Sequence, residues 1–133
     1  MVSKIQELNK LISSDKRKSE RLNLPVRIFY TTSPDAKWLG PVSVEDIGGN
    51  GLRFNSEKKI GEGSEINIKI IFPEKEHPSI IVKASVIWCV KTSRNTYNIG
   101  VKFHKMDYAD RRRFVEYISD KIMLKYLPSE AGV

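Results

Sequence analysis

Hydrophobic and polar residues alternate most regularly in the segment Glu65-Ile66-Asn67-Ile68-Lys69-Ile70. Successive side chains of a β-strand point to opposite faces of a sheet, so this period of two predicts a half-buried strand with its isoleucines inward. Five further strands are predicted between polar or glycine-containing turns: residues 25–30, 37–46, 52–55, 80–91 and 96–104. Six short strands at regular spacing indicate a small antiparallel β-barrel or sandwich.

The period changes to that of a helix after Asp107, which can cap the first turn, and Pro128 prevents the helix from continuing. We expect this C-terminal helix to close one end of the barrel. Its apolar stripe comprises Phe114, Ile118 and Ile122, with Tyr117 beside it.

A short amphipathic helix is predicted over residues 4–13, where Ser3 and Gln6 fit a capping box. A helix of this length is not stable alone and needs a surface on which to dock. Residues 14–21 contain no core residue, which predicts a mobile linker. The predicted organisation is therefore a helical extension at 1–14, one domain at 15–127 and a disordered tail at 128–133.

Composition favours a single domain of ordinary globular type. The chain has 133 residues, 40% of them hydrophobic and 29% charged, and no apolar run approaches the roughly 20 residues that span a bilayer. The N-terminus lacks the apolar stretch of a secretory signal, so a cytoplasmic protein is expected, without membrane insertion. The single cysteine, Cys89, excludes an intramolecular disulfide and a cysteine-based metal cluster.

A formal net charge of +7 and a pI near 9.5 favour an anionic partner. Charge alone does not choose among nucleic acid, an acidic lipid surface, an acidic protein and a phosphorylated small molecule. The basic residues are densest in two places, Lys16–Arg21 and Arg111–Arg113. The second patch lies in the first half of the predicted helix, where we expect it to form a solvated face.

Two arginines, Arg17 and Arg21, precede the glycine-rich segment Asp46-Ile47-Gly48-Gly49-Asn50-Gly51. A guanidinium group offers planar, paired donors that match a phosphate or the O6/N7 edge of guanine. Glycines let backbone N–H groups approach an anion, although they are also common in turns that need positive φ angles. The order of the two segments indicates a site for a phosphorylated guanine ligand.

Together the two segments resemble the paired signature of PilZ domains, RxxxR and [D/N]xSxxG. The resemblance covers about residues 17 to 125 and extends to Ala84-Ser85-Val86-Ile87-Trp88 and Ile99-Gly100-Val101-Lys102-Phe103. It implies a six-stranded antiparallel PilZ-like barrel closed by the C-terminal helix, with cyclic di-GMP, a bacterial second messenger, as ligand. Gly48 stands where the family has serine, so a hydroxyl group that would bind the ligand is missing.

The resemblance assigns ligand contact to Arg17 and Arg21, and to the second motif through Asp46, Gly48 and Gly51. In the family the arginine segment folds over the bound dinucleotide. The Asp46 carboxylate accepts hydrogen bonds only, so it can bind a guanine's Watson–Crick edge or orient an arginine. A turn-forming role for Asp46 is the alternative.

Two further residues are candidates for the same site. Arg53 should point to the face opposite Leu52 and Phe54, which makes it a candidate neighbour of the site, with a solvated strand arginine as a close alternative. Trp88 alternates in phase with Val86 and is expected in the core, with stacking on a guanine base as the minority alternative.

The sequence thus predicts a non-enzymatic cyclic di-GMP receptor that orders its arginine linker on binding and signals to a partner protein. It contains no metal-ligand spacing, nucleophile elbow or P-loop, and neither a cofactor nor a metal is expected. One alternative is a degenerate PilZ-like interaction module with little or no nucleotide binding. Another is a basic barrel that binds nucleic acid, for which interleaved basic and aromatic residues would be needed and specific binding is not expected.

Overall fold

The computed structural model describes residues 22–33, 37–104 and 106–126. These residues form six β-strands and one helix, so the predicted order of the six strands and the C-terminal helix is confirmed. The elements are β1 (Arg27–Thr31), β2 (Leu39–Ile47), β3 (Gly51–Ser56), β4 (Glu65–Ile71), β5 (Ile80–Lys91), β6 (Tyr97–Phe103) and α1 (Tyr108–Tyr126).

The strands close into an antiparallel barrel in the order β1-β2-β3-β6-β5-β4. Closure pairs β1 with β4 and leaves no strand of the barrel as an edge. The predicted barrel is therefore confirmed, and the sandwich alternative is wrong.

The inward face follows the alternation of the sequence. In β4, Ile66, Ile68 and Ile70 are almost completely buried, as predicted. In β3, Leu52 and Phe54 are buried, and Arg53 between them points outward. Because burial of one large apolar side chain contributes about 1.5–3 kcal/mol, these alternating positions hold the barrel together.

Helix α1 covers the end of the barrel where β2 and β6 finish and β3 begins. Its predicted stripe is buried, and Phe114 meets Phe103 of β6 edge to face with ring centroids 5.5 Å apart. The helix thus closes the barrel as expected. No helix in the described ranges is long and apolar enough to cross a membrane.

The loop between β4 and β5 is attached to α1 through Glu74. Its carboxylate accepts a hydrogen bond from the Tyr117 hydroxyl at 3.0 Å and pairs with Lys121 Nζ at 3.1 Å. Partial burial raises the pKa of Glu74, but its hydrogen bonds from Lys121, its own backbone and Tyr117 outweigh this, so the pKa is lowered overall. Burial and the nearby carboxylate raise the pKa of Tyr117, which keeps its proton for this bond.

The expectation that Trp88 lies in the core is wrong. The register of β5 against β6 shifts between Val86 and Trp88, leaving Ile87 as the extra residue of a β-bulge. Beyond the bulge, Cys89 packs against the core and Trp88 lies on the outer face. One extra residue therefore reverses the phase that the alternation had predicted.

Several predictions lie outside the described residues. These are the helix over residues 4–13, the linker at 14–21 with Arg17 and Arg21, and the tail at 128–133.

Candidate ligand-binding site

Leu22 fixes the chain immediately after the RxxxR segment. Its backbone N–H and C=O both pair with Ile47 at the end of β2, each bond 3.0 Å long. The Leu22 side chain is buried in the core. The residue that follows Arg21 is therefore held beside the segment that begins at Asp46.

The second motif forms the hairpin between β2 and β3. The Gly48 N–H donates to the Gly51 carbonyl at 2.9 Å, leaving Gly49 and Asn50 at the tip. The Phe103 N–H binds the Asn50 carbonyl at 2.8 Å and ties the tip to the end of β6. The turn is thus held from two sides.

The alternative explanation for the glycines of this turn, a need for positive φ angles, is wrong. Positive φ angles among the described glycines occur at Gly40 and Gly63, not in the turn. At Gly51 the requirement is space, because a Cβ there would lie 2.0 Å from the backbone oxygen of Val101. Gly51 therefore permits the close approach of β3 and β6.

Four strands bring the outward-facing candidates into one row. Asp46 of β2 pairs with Arg53 of β3, which pairs with Gly100 of β6, and Gly100 pairs with Trp88 of β5. The bulge in β5 is what brings Trp88 into this row. Three residues singled out separately in the sequence, Asp46, Arg53 and Trp88, are thus brought together.

The charged side chains of the row form ion pairs with neighbouring charges of the chain itself. Arg53 Nε lies 2.8 Å from Asp46 Oδ2 and 3.3 Å from Glu45 Oε2. These contacts are ion pairs without hydrogen-bond alignment, since Arg53 Nε has no hydrogen-bond partner. The Arg53 side chain is 39% exposed although its Nε is buried, so its terminal nitrogens are the atoms available to an incoming phosphate or guanine.

Gly100 is a site residue that the sequence analysis did not single out. A Cβ at this position would lie 2.2 Å from a ring carbon of Trp88, so the indole covers the glycine. A side chain here would push the ring off the sheet. The available signal was a lone glycine inside an apolar strand, which is typical of a close approach.

Arg111 was also missed, because it was grouped with its neighbours as a solvated face. Arg112 pairs with Glu116 and Arg113 with Asp110 along the exposed side of α1, as expected. Arg111 instead turns inward and donates from Nη1 to the Gly49 carbonyl at 3.0 Å. Helix α1 therefore contacts the tip of the hairpin turn.

One cluster has the residue types of a catalytic triad but not the geometry. His104 Nε2 lies 2.6 Å from Ser85 Oγ and 3.8 Å from Glu65 Oε1. A triad needs the carboxylate on the other ring nitrogen, so that it orients the base toward the serine. Among the described residues no group of three or more His, Cys, Asp or Glu side chains could hold a metal ion.

The chain matches a family model in sequence and several solved structures in fold. The family model of the PilZ domain matches residues 15–120. No curated protein is significantly similar in sequence.

Solved structures share the fold at low sequence identity. The inhibitor of motility MotI (DgrA) of Bacillus subtilis superposes with a TM-score of 0.63 at 14% identity, over 79% of this chain and 50% of MotI. MrkH of K. pneumonia, in a complex with c-di-GMP, gives 0.61 at 14% identity, over 82% of this chain and 51% of MrkH. MrkH in its apo state gives 0.64 at 15% identity, over 84% and 53%.

The chain thus spans about half the length of these solved structures. The family match covers most of the sequence and includes both signature segments. This chain therefore belongs to the PilZ domain family.

Proposed function

We propose that this chain is a non-enzymatic receptor for cyclic di-GMP, with the ligand on the outer face of the barrel. The observation that carries the proposal is the pairing of Leu22 with Ile47, because it holds the end of the RxxxR segment beside the start of the second motif. The proposed contact residues are Arg17, Arg21, Asp46, Gly48, Gly51, Arg53 and Trp88.

The chemistry of the row supports a division of roles. Arg17 and Arg21 bind the phosphates or the O6/N7 edges of guanine. The Asp46 carboxylate accepts N–H groups from a guanine's Watson–Crick edge, and Arg53 neutralises a nearby phosphate. The Trp88 indole offers a surface on which a base stacks, which is worth about 1–3 kcal/mol per base.

The ligand named for one structural neighbour supports the same assignment. MrkH has been solved in a complex with c-di-GMP. The low identity limits that likeness to the fold, so the assignment of ligand to this chain rests on its motifs and on the row across the four strands.

Calorimetric titration with cyclic di-GMP tests the proposal. Cyclic di-AMP is the matched ligand, because it has the same phosphodiester ring but lacks the O6 and N2 groups of guanine. We expect saturable binding of cyclic di-GMP and much weaker binding of cyclic di-AMP. Absence of binding by the wild-type chain would favour the degenerate interaction module, which the glycine at position 48 makes the second candidate.

Arginine variants locate the binding. Arg21→Ala should weaken affinity about ten- to a hundred-fold, since a charge-assisted contact contributes about 1.5–3 kcal/mol. Arg94→Ala is the control, because Arg94 is exposed in the turn at the opposite end of the barrel and the change in net charge is the same. Equal losses in both variants would indicate a general charge effect instead of a site.

We further propose that binding orders the linker at residues 14–21 and repositions the segment at 1–14 for a partner protein. Fixing each residue costs about 1–2 kcal/mol, so several charge-assisted bonds are needed and one arginine does not suffice. Hydrogen exchange of the linker amides, with and without saturating cyclic di-GMP, should show new protection. Equal exchange in both states would exclude this order change even where binding is measured.

Nucleic acid is expected to bind only weakly. A net charge of +7 attracts phosphates, and such contacts lose affinity steeply as salt rises. Tight binding of single-stranded DNA or RNA that survives raised salt would favour the nucleic-acid alternative.

A further inference from the structure

A cavity lies next to the proposed ligand site, between the hairpin tip, the end of β6 and the start of α1. Its volume is about 470 Å³. Of the residues that the structure describes, those in the walls carry aromatic and thioether groups around one guanidinium. The lining residues are Asn50, Phe103, His104, Met106, Tyr108 and Arg111.

Arg111 is an unusually placed cation in this cavity. Burial lowers its pKa below the ordinary value, yet an arginine remains charged at neutral pH. Within the described parts of the chain, the Arg111 guanidinium donates one hydrogen bond, to the Gly49 carbonyl, and no carboxylate pairs with it. The half-buried Arg111 guanidinium therefore keeps donors without a partner among the described residues at this cavity.

The contrast with the adjacent arginines supports a functional reading. Arg112 and Arg113 are more exposed and yet paired with carboxylates on their own helix. Charge burial is costly unless a counter-charge is present. No carboxylate among the described residues balances Arg111, so the cavity leaves an anionic position beside this cation open to a second molecule.

The rim of the cavity points to a protein as that molecule. Tyr108 is 80% exposed beside Arg111. Tyrosine and arginine are the side chains that most often anchor protein interfaces, with an apolar group packed next to the charge. Phe103 and Met106 provide that apolar surface at the back of the cavity.

We propose that this cavity binds an acidic segment of a protein partner, with a carboxylate on Arg111 and an adjacent apolar side chain against Phe103 and Met106. The site is distinct from the outer-face row and does not depend on cyclic di-GMP. Arg111 also donates to the Gly49 carbonyl at the hairpin tip. A partner bound to Arg111 would therefore be sensitive to the conformation of that turn.

Small probes test the proposal on the full chain by NMR. N-acetyl-phenylalanine carries a carboxylate beside an apolar ring, and its C-terminal amide is the uncharged match. We expect the acid to shift the Nε–H signal of Arg111 and the amides of Asn50 and His104 saturably, and the amide probe to bind at least tenfold more weakly. Equal binding of the two probes, or no shift with the acid, would overturn the proposal.

Three variants assign the contact. Arg111→Met keeps the aliphatic length without the charge and should weaken binding of the acid about tenfold or more. Arg112→Met, one residue along the helix, should leave it unchanged. Because Arg111→Met also removes the bond to Gly49, Tyr108→Ala at the exposed rim serves as a second test and should weaken binding severalfold with the fold intact. Binding unaffected by both Arg111→Met and Tyr108→Ala would contradict the assignment.

A nucleotide probe tests whether the cavity prefers a phosphate to a carboxylate. Guanosine 5′-monophosphate should bind this cavity less tightly than N-acetyl-phenylalanine. Tighter binding of the nucleotide at Arg111 would overturn the partner assignment and make the cavity part of a nucleotide site.

Discussion

Strands β4 and β5 are neighbours in the barrel and alternate apolar and polar residues in the same way, but they end in different roles. In β4 the alternation holds throughout, and Ile66, Ile68 and Ile70 all face the core. In β5 it holds as far as Val86, and the bulge at Ile87 then turns Trp88 outward. The regular strand builds the barrel, whereas the irregular one contributes to its candidate ligand site.

The core and the candidate ligand site of this barrel depend on different properties of the chain. Inward positions are determined by the free energy of burial, which grows with the apolar area removed from water and does not depend on fine details of the register. The outward row of Asp46, Arg53, Gly100 and Trp88 depends on register, on one extra residue and on one missing side chain. The two faces should therefore respond differently to substitution.

The largest effect is expected on the free energy of unfolding, when an inward-facing and an outward-facing aromatic residue are each replaced by alanine. Phe54→Ala removes a fully buried ring and should lower the free energy of unfolding by about 3–5 kcal/mol. Trp88→Ala should lower it much less, because the indole lies on the surface of the sheet. Chemical denaturation of both variants measures the difference, and equal losses would place Trp88 in the core after all.

The affinity for cyclic di-GMP, in contrast to stability, should depend on Trp88. Trp88→Ala removes the proposed stacking surface and should weaken binding by about 1–3 kcal/mol. The matched control is Trp38→Ala, since Trp38 is also partly exposed but precedes β2 at the other end of the barrel. Calorimetry on the two variants tests the row directly, and an equal change in both would argue against it.

The contact between Gly100 and Trp88 can be isolated by a double-mutant cycle. Gly100→Ala places a methyl group where the indole lies, so it should displace the ring and weaken ligand binding severalfold. In the Trp88→Ala background the same change should have almost no effect, because the obstacle is gone. Additive effects on affinity would show that the glycine acts through the backbone and not through the indole.

Restoring the family's hydroxyl should have a smaller effect. Gly48 has no positive φ angle, so Gly48→Ser is not strained by backbone conformation and should strengthen cyclic di-GMP binding by about 1 kcal/mol. Gly48→Ala is the control, since it adds the Cβ without the hydroxyl. A gain in both variants, or in neither, would show that the hydroxyl is not what the turn lacks.

The smallest effect concerns the attachment of the β4–β5 loop, far from the row. The pKa of Glu74 is lowered in the folded chain, so its contribution is present above the ordinary value of 4.5 and is lost as the pH falls through the lower folded-state pKa. Glu74→Gln should therefore reduce the thermal midpoint slightly at pH 7, and this difference should shrink as the pH is lowered below 4.5. A difference that stays constant over the whole acid titration would exclude the carboxylate charge as its cause.

The sequence predicted the barrel because its strands have the period of two wherever they face the core. It predicted Arg53 outward for the same reason, and the structure confirms that orientation. It misplaced Trp88 because alternation cannot detect a bulge, and it passed over Gly100 because the glycine's role depends on a side chain of the neighbouring strand. Arg111 was missed because helical spacing predicts which side of α1 a residue occupies, whereas the Arg111 contact is with Gly49 in a distant hairpin.

The central claim is that cyclic di-GMP binds on the outer row that includes Trp88. The two indole N–H signals of the chain test it most directly, because Trp88 lies in the row and Trp38 lies at the opposite end of the barrel. During titration with cyclic di-GMP, the account predicts a saturable shift of the Trp88 signal together with the amides of Gly48, Gly51 and Arg53, while the Trp38 signal stays in place. Saturable binding that leaves the Trp88 signal unmoved, or that shifts Trp38 instead, would contradict the account.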